Sequence, residues 1–320
     1  MNRISDRRFL TDHAASRGVS VPSVVPIRPR MSYRSLASQI GCPFIVKSVV
    51  GVSGKTCFRV DSQADLATVR AAARGAQLYG WRIMEGHSLN FHLCIGDEDL
   101  QIFEPTVQRF DDSDPLRPYR FTGNTFHIAD DVSEHALQGA ERELTKLARV
   151  LREAGFRGVA GADVVVTEHA QHVVDVNPRF QGSSLPLDLN LAALDRPRLA
   201  TQHLRACSGI DLSAPRFSGH QERRSVGGQV FVAAPPKTQA QTFRKKNGIY
   251  SPFHGGLHYE GNFQVGQGLA EGHVLILDLP SGSCTRFHGA TLARVMHAPG
   301  ASDEEIVHAV RLVSEGRLRH

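Results

Sequence analysis

Four polar residues, Asp163, Asp175, Asn177 and Arg179, stand within largely apolar sequence near the middle of the chain. The last three are spaced two apart, so on a strand their side chains leave the same face. Antiparallel pairing through a short turn can bring Asp163 alongside them. Two carboxylates and an amide oxygen suit Mg²⁺, which completes its shell with waters and nucleotide phosphates, and a neighbouring arginine stabilises developing negative charge. The spacing predicts a magnesium and phosphate site; the alternative is a hairpin with polar residues at its mouth.

A glycine-rich stretch, VVGVSGKT at 49–56, ends in the Gly-Lys-Thr of a phosphate-binding P-loop. The P-loop pattern requires glycine where Val49 stands, and it requires a helix where β-branched and aromatic residues follow Thr56. The stretch is therefore not a P-loop. Its glycines permit a flap whose backbone N–H groups cover phosphates, beside the ammonium of Lys47 in the preceding strand. A hairpin loop that binds nothing is the alternative.

Hydrophobic periodicity and turn residues predict the elements that must position these groups. Helices are predicted at 5–18, 33–40, 62–78, 135–154, 191–208 and 303–315. Strands are predicted at 44–50, 56–60, 82–84, 89–95, 100–107, 159–166, 172–176, 228–233 and 273–279. Helices mixed with mostly antiparallel strand pairs indicate the α+β class.

Composition narrows the function. The 320 residues contain no apolar run near about 18 residues and no apolar N-terminal segment, so we expect neither a membrane span nor a secretory signal. The five cysteines are far apart and form no CxxC pair, which favours reduced thiols in the cytoplasm. The net charge of +5 comes without a basic helix; it fits a solvated surface or a small anionic ligand such as a nucleotide as well as it fits nucleic acid, which we do not expect as a partner.

The order and spacing of these motifs resemble those of the ATP-grasp superfamily. The segments Ser5-Asp6-Arg7 and GVSVPSVVPI look like the family's SDK motif and the linker that follows it. GCPFIVKSVVGVSGKTCFRV resembles its strand–loop–strand, and FRGVAGADVVV with HVVDVNPRFQGSS resembles its metal-binding hairpin. PSGSCTRFHGATLARVMHAPGASDEE looks like the closing β-segment of the carboxylase-like and peptide-ligase-like branches. The resemblance covers most of 1–210 and part of the tail.

The resemblance implies two α+β lobes with antiparallel sheets that grip ATP, with ATP and Mg²⁺ as cofactors. Lys47, which would hold the α/β phosphates, and Arg179, which would hold the acyl phosphate and tetrahedral intermediate, are the expected catalytic residues. The implied nucleotide-binding residues are Arg7 in place of a lysine, Lys47, Gly51, Ser53, Gly54, Arg82, Met84, Ser88 and Asn90. The implied metal ligands are Asp163, Asp175 and Asn177.

The sequence departs from the family pattern at three positions. Asp175 stands where glutamate is usual, Trp81 where an acid reads adenine, and Ser88 where an acid binds ribose. Asn90 or Glu85 would substitute for the missing acids.

The resemblance also divides the chain. We expect an N-terminal helix and linker at 1–30, a small lobe with the glycine-rich lid at 31–84, and a large lobe with a β-rich C-terminal extension at 85–320. The family's N-terminal domain of about one hundred residues is reduced to four residues before Ser5. We therefore expect this domain to be absent or vestigial: either it is dispensable, or a partner subunit or the second copy in a homodimer takes its place.

The implied activity is that of a carboxylate–amine ligase. It would activate a carboxylate as an acyl phosphate and form an amide or peptide bond, with amino acids or peptides of specialised metabolism as substrates. The alternative is a non-catalytic or partner-dependent nucleotide-binding subunit of a split ligase.

Overall fold

The structure is a computed structural model. It describes residue 4 and the ranges 9–48, 57–73, 75–128, 132–167, 169–212, 224–233, 241–243, 246–279, 282–284 and 291–319. The α-helices are α1 (Tyr33–Ile40), α2 (Gln63–Ala72), α3 (Glu134–Glu153), α4 (Ser184–Ala193), α5 (Leu199–Cys207) and α6 (Asp303–Ser314). The strands are β1 (Val24–Ile27), β2 (Phe44–Ser48), β3 (Cys57–Val60), β4 (Leu78–Arg82), β5 (His87–Ile95), β6 (Leu100–Ile102), β7 (Thr106–Asp111), β8 (Arg120–Thr125), β9 (Gly158–Val166), β10 (Gln171–Asn177), β11 (Gly228–Ala233), β12 (Gln241–Phe243), β13 (Gly248–Phe253), β14 (Gly256–Gly261), β15 (Val274–Leu277), β16 (Gly282–Cys284), β17 (Thr291–His297) and β18 (Leu318–Arg319).

The chain forms two compact units. The first unit comprises Met1–Phe121, Ile128–Gln181 and Leu199–Gly219. The second unit comprises Thr122–His127, Gly182–Arg198 and His220–His320. The finer division at 1–30, 31–84 and 85–320 stays a prediction.

The first unit contains a four-stranded antiparallel sheet in the order β1-β4-β2-β3. Alternate side chains of β2 face opposite ways. Phe44 and Val46 are buried in a core shared with Leu36 of α1 and Leu66 of α2. Lys47 therefore lies on the opposite face of this sheet, away from those two helices.

The end of α2 corrects the prediction of a helix at 62–78. Ser62 caps the helix as the capping pattern suggests, accepting from the Asp65 backbone N–H at 3.2 Å, but the helix ends at Ala72 and Leu78 begins β4. Gly80 lies in the middle of that strand. A Cβ there would lie 2.4 Å from the Ile40 Cδ1 atom, so glycine allows α1 to pack closely on the strand.

A second sheet of the first unit carries strands in the order β10-β9-β5-β7, with β6 paired to β5. One face packs against α3, whose Leu144 and Leu147 share a core with Leu89 and Val164. The predicted single strand at 100–107 is two strands, because the register with β5 shifts by one residue between the Leu93–Ile102 pair and the Asn90–Thr106 pair. The strand predicted at 82–84 ends at Arg82.

The N-terminal helix predicted at 5–18 is not α-helical where it is described. Phe9–Ala14 forms a π-helix and Ala15–Arg17 a 3₁₀ turn. Gly18 ends the segment at φ 81°, as its predicted role as a stop requires. Residues 5–8, which include the expected cap, lie outside the described residues.

The second unit has a sheet in the order β8-β11-β17-β15-β13-β14-β18, in which only β14 and β18 are parallel among the described pairs. Its core includes Tyr250, Ile276 and Leu312 of α6. A capping box formed by Ser302 and Glu305 begins α6.

The segment at 191–208, predicted as mostly helical with an interruption at Pro197, contains the end of α4 and all of α5, and Pro197 lies between the two helices. No helix in the described part of the chain is long and apolar enough to cross a membrane.

Candidate nucleotide and metal site

A β-bulge at Val174 places the acidic residues of β10. Val173 pairs with Val164 and Asp175 pairs with Asp163, so Val174 has no register partner on β9. In an unbroken ladder Asp175 would oppose Ala162, which belongs to the core face. The extra residue instead turns Asp175 to the face of Asp163. The two carboxylates, predicted to meet across the hairpin, are thus direct cross-strand neighbours.

Asp163 lies in the centre of this face, between Asp175 on β10 and Asn90 on β5. The Asn90 amide Nδ2 donates to the Asp163 Oδ1 atom at 2.5 Å. Burial and then the negative charge of Asp175 raise the pKa of Asp163 to about 7, against the opposing effects of hydrogen bonds from Asn90 and Gln108 and the charge of Lys47. Burial and the neighbouring carboxylate therefore favour the protonated form of Asp163.

Lys47 supplies the positive charge that acts on Asp163 from β2. Its Nζ atom lies 4.7 Å from the centroid of the Trp81 ring and 3.5 Å from the Val174 carbonyl oxygen. Trp81 is only 1% exposed, and its π-face is favourable for a cation. The aromatic ring and the bulge carbonyl together hold the ammonium at the edge of the acidic face.

The Asn177 side chain joins the acidic pair to Arg179. Its Nδ2 donates to the Asp175 Oδ2 atom at 3.2 Å, and its Oδ1 accepts from the Arg179 Nη2 at 3.2 Å. The Arg179 Nη1 donates to the Phe180 carbonyl at 2.9 Å. Arg179 is exposed, so a guanidinium with five N–H donors can present the others to an anion.

The other predicted nucleotide-binding residues occupy varied places. The Arg82 N–H donates to the Ser23 carbonyl at 3.1 Å, so this amide is occupied and the predicted hinge contact to adenine rests on the half-buried Met84. Ser88 donates to the Gln108 Oε1 atom at 2.6 Å. Asn90 is 4% exposed and contacts Asp163. The nucleotide-binding roles of these four residues stay predictions.

Four predicted residues cannot be placed. Arg7, Gly51, Ser53 and Gly54 lie outside the described residues, as does the rest of the glycine-rich stretch at 49–56.

The oxygen donors of the face suit a hard divalent cation. Within the described residues no group of three or more His, Cys, Asp and Glu side chains could hold a metal ion. The oxygen atoms on this face are those of the Asp163 and Asp175 carboxylates and the Asn177 Oδ1 atom, which accepts from Arg179, and their role as metal ligands stays a prediction. Mg²⁺ commonly takes one or two carboxylates and fills its remaining positions with waters and phosphate oxygens.

Two glutamines of the site were not predicted from the sequence. Gln108 contributes a hydrogen bond to Asp163, and Gln181 donates to the Asn90 Oδ1 atom at 2.8 Å. A signal for Gln181 was present in the sequence, because Asp175, Asn177, Arg179 and Gln181 are polar residues spaced two apart.

Solved structures with this fold are numerous, and none of three described here exceeds 16% identity. A carboxyaminoimidazole ribonucleotide synthase from Aspergillus clavatus, crystallised with ATP, superposes with a TM-score of 0.64 and 16% identity over 98% of this chain and 72% of its own. An L-amino acid ligase from Bacillus licheniformis gives a TM-score of 0.58 and 12% identity over 98% and 71% of the two chains.

The third is the biotin carboxylase domain of a 2-oxoglutarate carboxylase from Hydrogenobacter thermophilus, a dimer crystallised with MgADP, ADP and bicarbonate. It gives a TM-score of 0.62 and 13% identity over 92% of this chain and 62% of its own. ATP is thus a ligand of the first protein, and MgADP is a ligand of the third, as expected for the fold. No curated protein sequence matches the chain.

These likenesses show the fold, and a sequence-family model shows the family. The model described as the ATP-grasp domain matches residues 4–183, which include Lys47 and the whole acidic hairpin. The predicted α+β ATP-grasp architecture is therefore confirmed, and the chain belongs to the ATP-grasp family.

Proposed function

We propose that the protein is an ATP- and Mg²⁺-dependent ligase that activates a carboxylate as an acyl phosphate and joins it to an amine. The supporting observation is the convergence of Lys47 and the Asn177–Arg179 pair on the carboxylates of Asp163 and Asp175. This face combines hard oxygen ligands with two cations. That combination suits a magnesium nucleotide better than it suits either anion or metal alone.

The residues present fit Mg²⁺. Two carboxylates face each other as cross-strand neighbours, and burial together with the charge of Asp175 raises the pKa of Asp163, which supports a place for a cation between them. A bound divalent cation would relieve this repulsion and neutralise phosphate oxygens. Asp163, Asp175 and Asn177 would hold it.

The chain's own residues would act by positioning and charge. Lys47 would hold phosphates of ATP while a carboxylate oxygen of the substrate attacks the γ-phosphorus and ADP departs. Arg179 would stabilise the acyl phosphate and then the tetrahedral intermediate formed when the amine adds to the acyl carbon. Phosphate leaves as the amide forms, and the amine proton passes to solvent. Positioning and electrostatics suffice for both steps, and no general base is assigned.

The finer assignment is an amide or peptide ligase that acts on an amino acid or peptide in the cytoplasm. Gly51, Ser53 and Gly54 would cover the β/γ phosphates, with Arg7, Arg82, Met84, Ser88 and Asn90 as further nucleotide contacts. A homodimer partner or a separate subunit would help to seat the carboxylate. The L-amino acid ligase similarity supports this assignment, because that protein has the same fold over 98% of this chain.

The decisive experiment measures ADP release with Mg²⁺-ATP and panels of carboxylates and amines, including amino acids and bicarbonate. Hydroxylamine in place of the amine should trap an acyl phosphate as its hydroxamate. We expect turnover by the wild type and at least a hundredfold loss, about 3 kcal/mol of transition-state stabilisation, in Asp175→Asn.

The exposed Asp112 offers a matched control. Asp112→Asn removes the same charge outside the site and should retain wild-type turnover. An enzyme that binds Mg²⁺-ATP yet turns over no pair, in the absence and presence of candidate partner proteins, would contradict the ligase. Nucleotide binding with turnover only after a partner is added would instead support a subunit of a split ligase.

A further inference from the structure

The Gln181 side chain lies across β9 at a position where that strand has no side chain. Its Nε2 atom donates to the Asn90 Oδ1 atom at 2.8 Å and to the Phe91 carbonyl at 3.2 Å. A Cβ built at Gly161 would lie 2.1 Å from the Gln181 Oε1 atom. Gly161 therefore forms a slot, and the slot together with two acceptors fixes the direction of the glutamine amide.

The fixed glutamine in turn fixes Asn90. Because Gln181 donates to the Asn90 Oδ1 atom, the Nδ2 of Asn90 must point the other way. It donates to the Asp163 Oδ1 atom at 2.5 Å. With a donor at Gln181, only one of the two amide orientations of Asn90 satisfies both of its neighbours.

The orientation of the Asn90 amide matters because this residue is buried. Asn90 is 4% exposed, and it pairs in register with Asp163, which also neighbours Asp175. An Asn90 amide turned over would place its oxygen against the carboxylate oxygen of Asp163. That contact would be repulsive, and the carboxylate would rotate away from it.

We infer that Gln181 is a positioning residue, which acts through Asn90 to hold the Asp163 carboxylate in the orientation that a divalent cation requires. The inference rests on the proposed function, because it takes Asp163 as a ligand of that cation. Partners that orient metal ligands typically change metal affinity by 10–100-fold when removed. Gln181 touches neither cation nor substrate in this role.

Two substitutions test the chain of amides from opposite sides. Gln181→Glu keeps the shape but removes the donor, so Asn90 loses the partner that sets its orientation. Gly161→Ala removes no amide group, but its methyl group fills the slot and displaces the Gln181 side chain. Both substitutions should lower cation affinity by the same mechanism. The double variant should therefore bind the cation no more weakly than the weaker-binding single variant.

A second glutamine offers a matched control. Gln171 packs over Gly139 of α3 in the same manner, with its Oε1 atom 2.0 Å from a Cβ built there. Gln171→Glu and Gly139→Ala thus repeat the same changes at a glutamine–glycine contact that takes no part in the hydrogen bonds from Gln181 through Asn90 to Asp163. Any loss of stability in these variants should leave cation affinity within about twofold of the wild type.

The measurement is Mn²⁺ binding to the full chain by electron paramagnetic resonance, with and without ADP, beside the Mg²⁺ dependence of ADP release. We expect Mn²⁺ affinity to fall at least about tenfold in Gln181→Glu and Gly161→Ala. The Mg²⁺ concentration for half-maximal turnover should rise by a similar factor, while kcat at saturating Mg²⁺ recovers to within about threefold.

The outcomes separate the two proposals. Wild-type Mn²⁺ binding that is unchanged in both site variants would overturn the positioning role and leave the ligase intact. A kcat that stays low at saturating Mg²⁺ would also overturn it, because a direct role in the reaction would then be needed. A wild type that binds no Mn²⁺ with ADP would overturn the proposed function itself.

Discussion

Asp163→Asn should stabilise the metal-free protein most at alkaline pH. Burial and Asp175 raise the pKa of Asp163 from 3.8 to about 7, so the folded state resists ionisation that the unfolded chain permits. The resulting penalty is absent below pH 3.8, grows between the two pKa values and is complete above pH 7. At about 1.4 kcal/mol per pKa unit it reaches about 4 kcal/mol at pH 8 and about 2 kcal/mol at pH 5. Asparagine removes the ionisation and retains an oxygen acceptor for Asn90.

The assay is urea unfolding in EDTA at pH 5 and pH 8, followed by the fluorescence of Trp81, the chain's single tryptophan. The free energy of unfolding gained by Asp163→Asn should be about 3 kcal/mol larger at pH 8 than at pH 5. Asp112→Asn, at an exposed position, should show no such difference.

Magnesium with ADP should reverse the order of stability. These ligands should stabilise the wild type and leave the variant unchanged, because binding to the native state alone raises its stability. An equal effect of Asp163→Asn at both pH values, or a larger loss of stability at pH 8, would refute the reasoning about the acidic face.

Three further substitutions test other parts of the first unit. Lys47→Met should lower ADP affinity at least about tenfold by calorimetry, since it removes the ammonium held over Trp81; unchanged affinity would remove Lys47 from the phosphate site. Arg179→Met should reduce kcat about 10²–10³-fold while ADP affinity stays within about threefold, and a matching loss of affinity would instead indicate a ground-state contact. Burial lowers the pKa of His92 to about 3, so its contribution to stability is complete above pH 6.5 and is lost as the pH falls towards 3. Between pH 8 and pH 5, the free energy of unfolding in urea should therefore fall by about 2 kcal/mol less in His92→Gln than in the wild type. An identical fall in both proteins would show that His92 does not cause the loss of stability in acid.

Local patterns predicted the strands that carry the site. The apolar alternation in 159–166 and 172–176 gave β9 and β10 to within a residue or two, because β-branched residues on a half-buried sheet leave few other options. Asp163, Asp175 and Asn177 could be placed on one face from their spacing and from the antiparallel pairing of the two strands. The bulge at Val174 that makes this true could not be foreseen, since it depends on register with a neighbouring strand.

Longer-range packing explains the failures. The helical pattern of α2 continues in composition as far as Leu78, yet α2 ends at Ala72, and Leu78 begins a strand that pairs with both β1 and β2. Gln181 was missed for a similar reason. Its partners Asn90 and Gly161 are distant in sequence, and only the pairing of β5 with β9 brings them together.

The extra residue in β10, Val174, also decides which face of the sheet each later residue of the strand occupies. Deleting Val174 would exchange the faces of every residue from Asp175 to Asn177, burying one carboxylate and exposing Val176, although no ligand residue would have changed. A related chain with a regular strand would need its acid and amide one position closer to the turn to build the same face. Comparison of such chains column by column would then report lost ligands where the site is intact, unless a gap is opened opposite Val174.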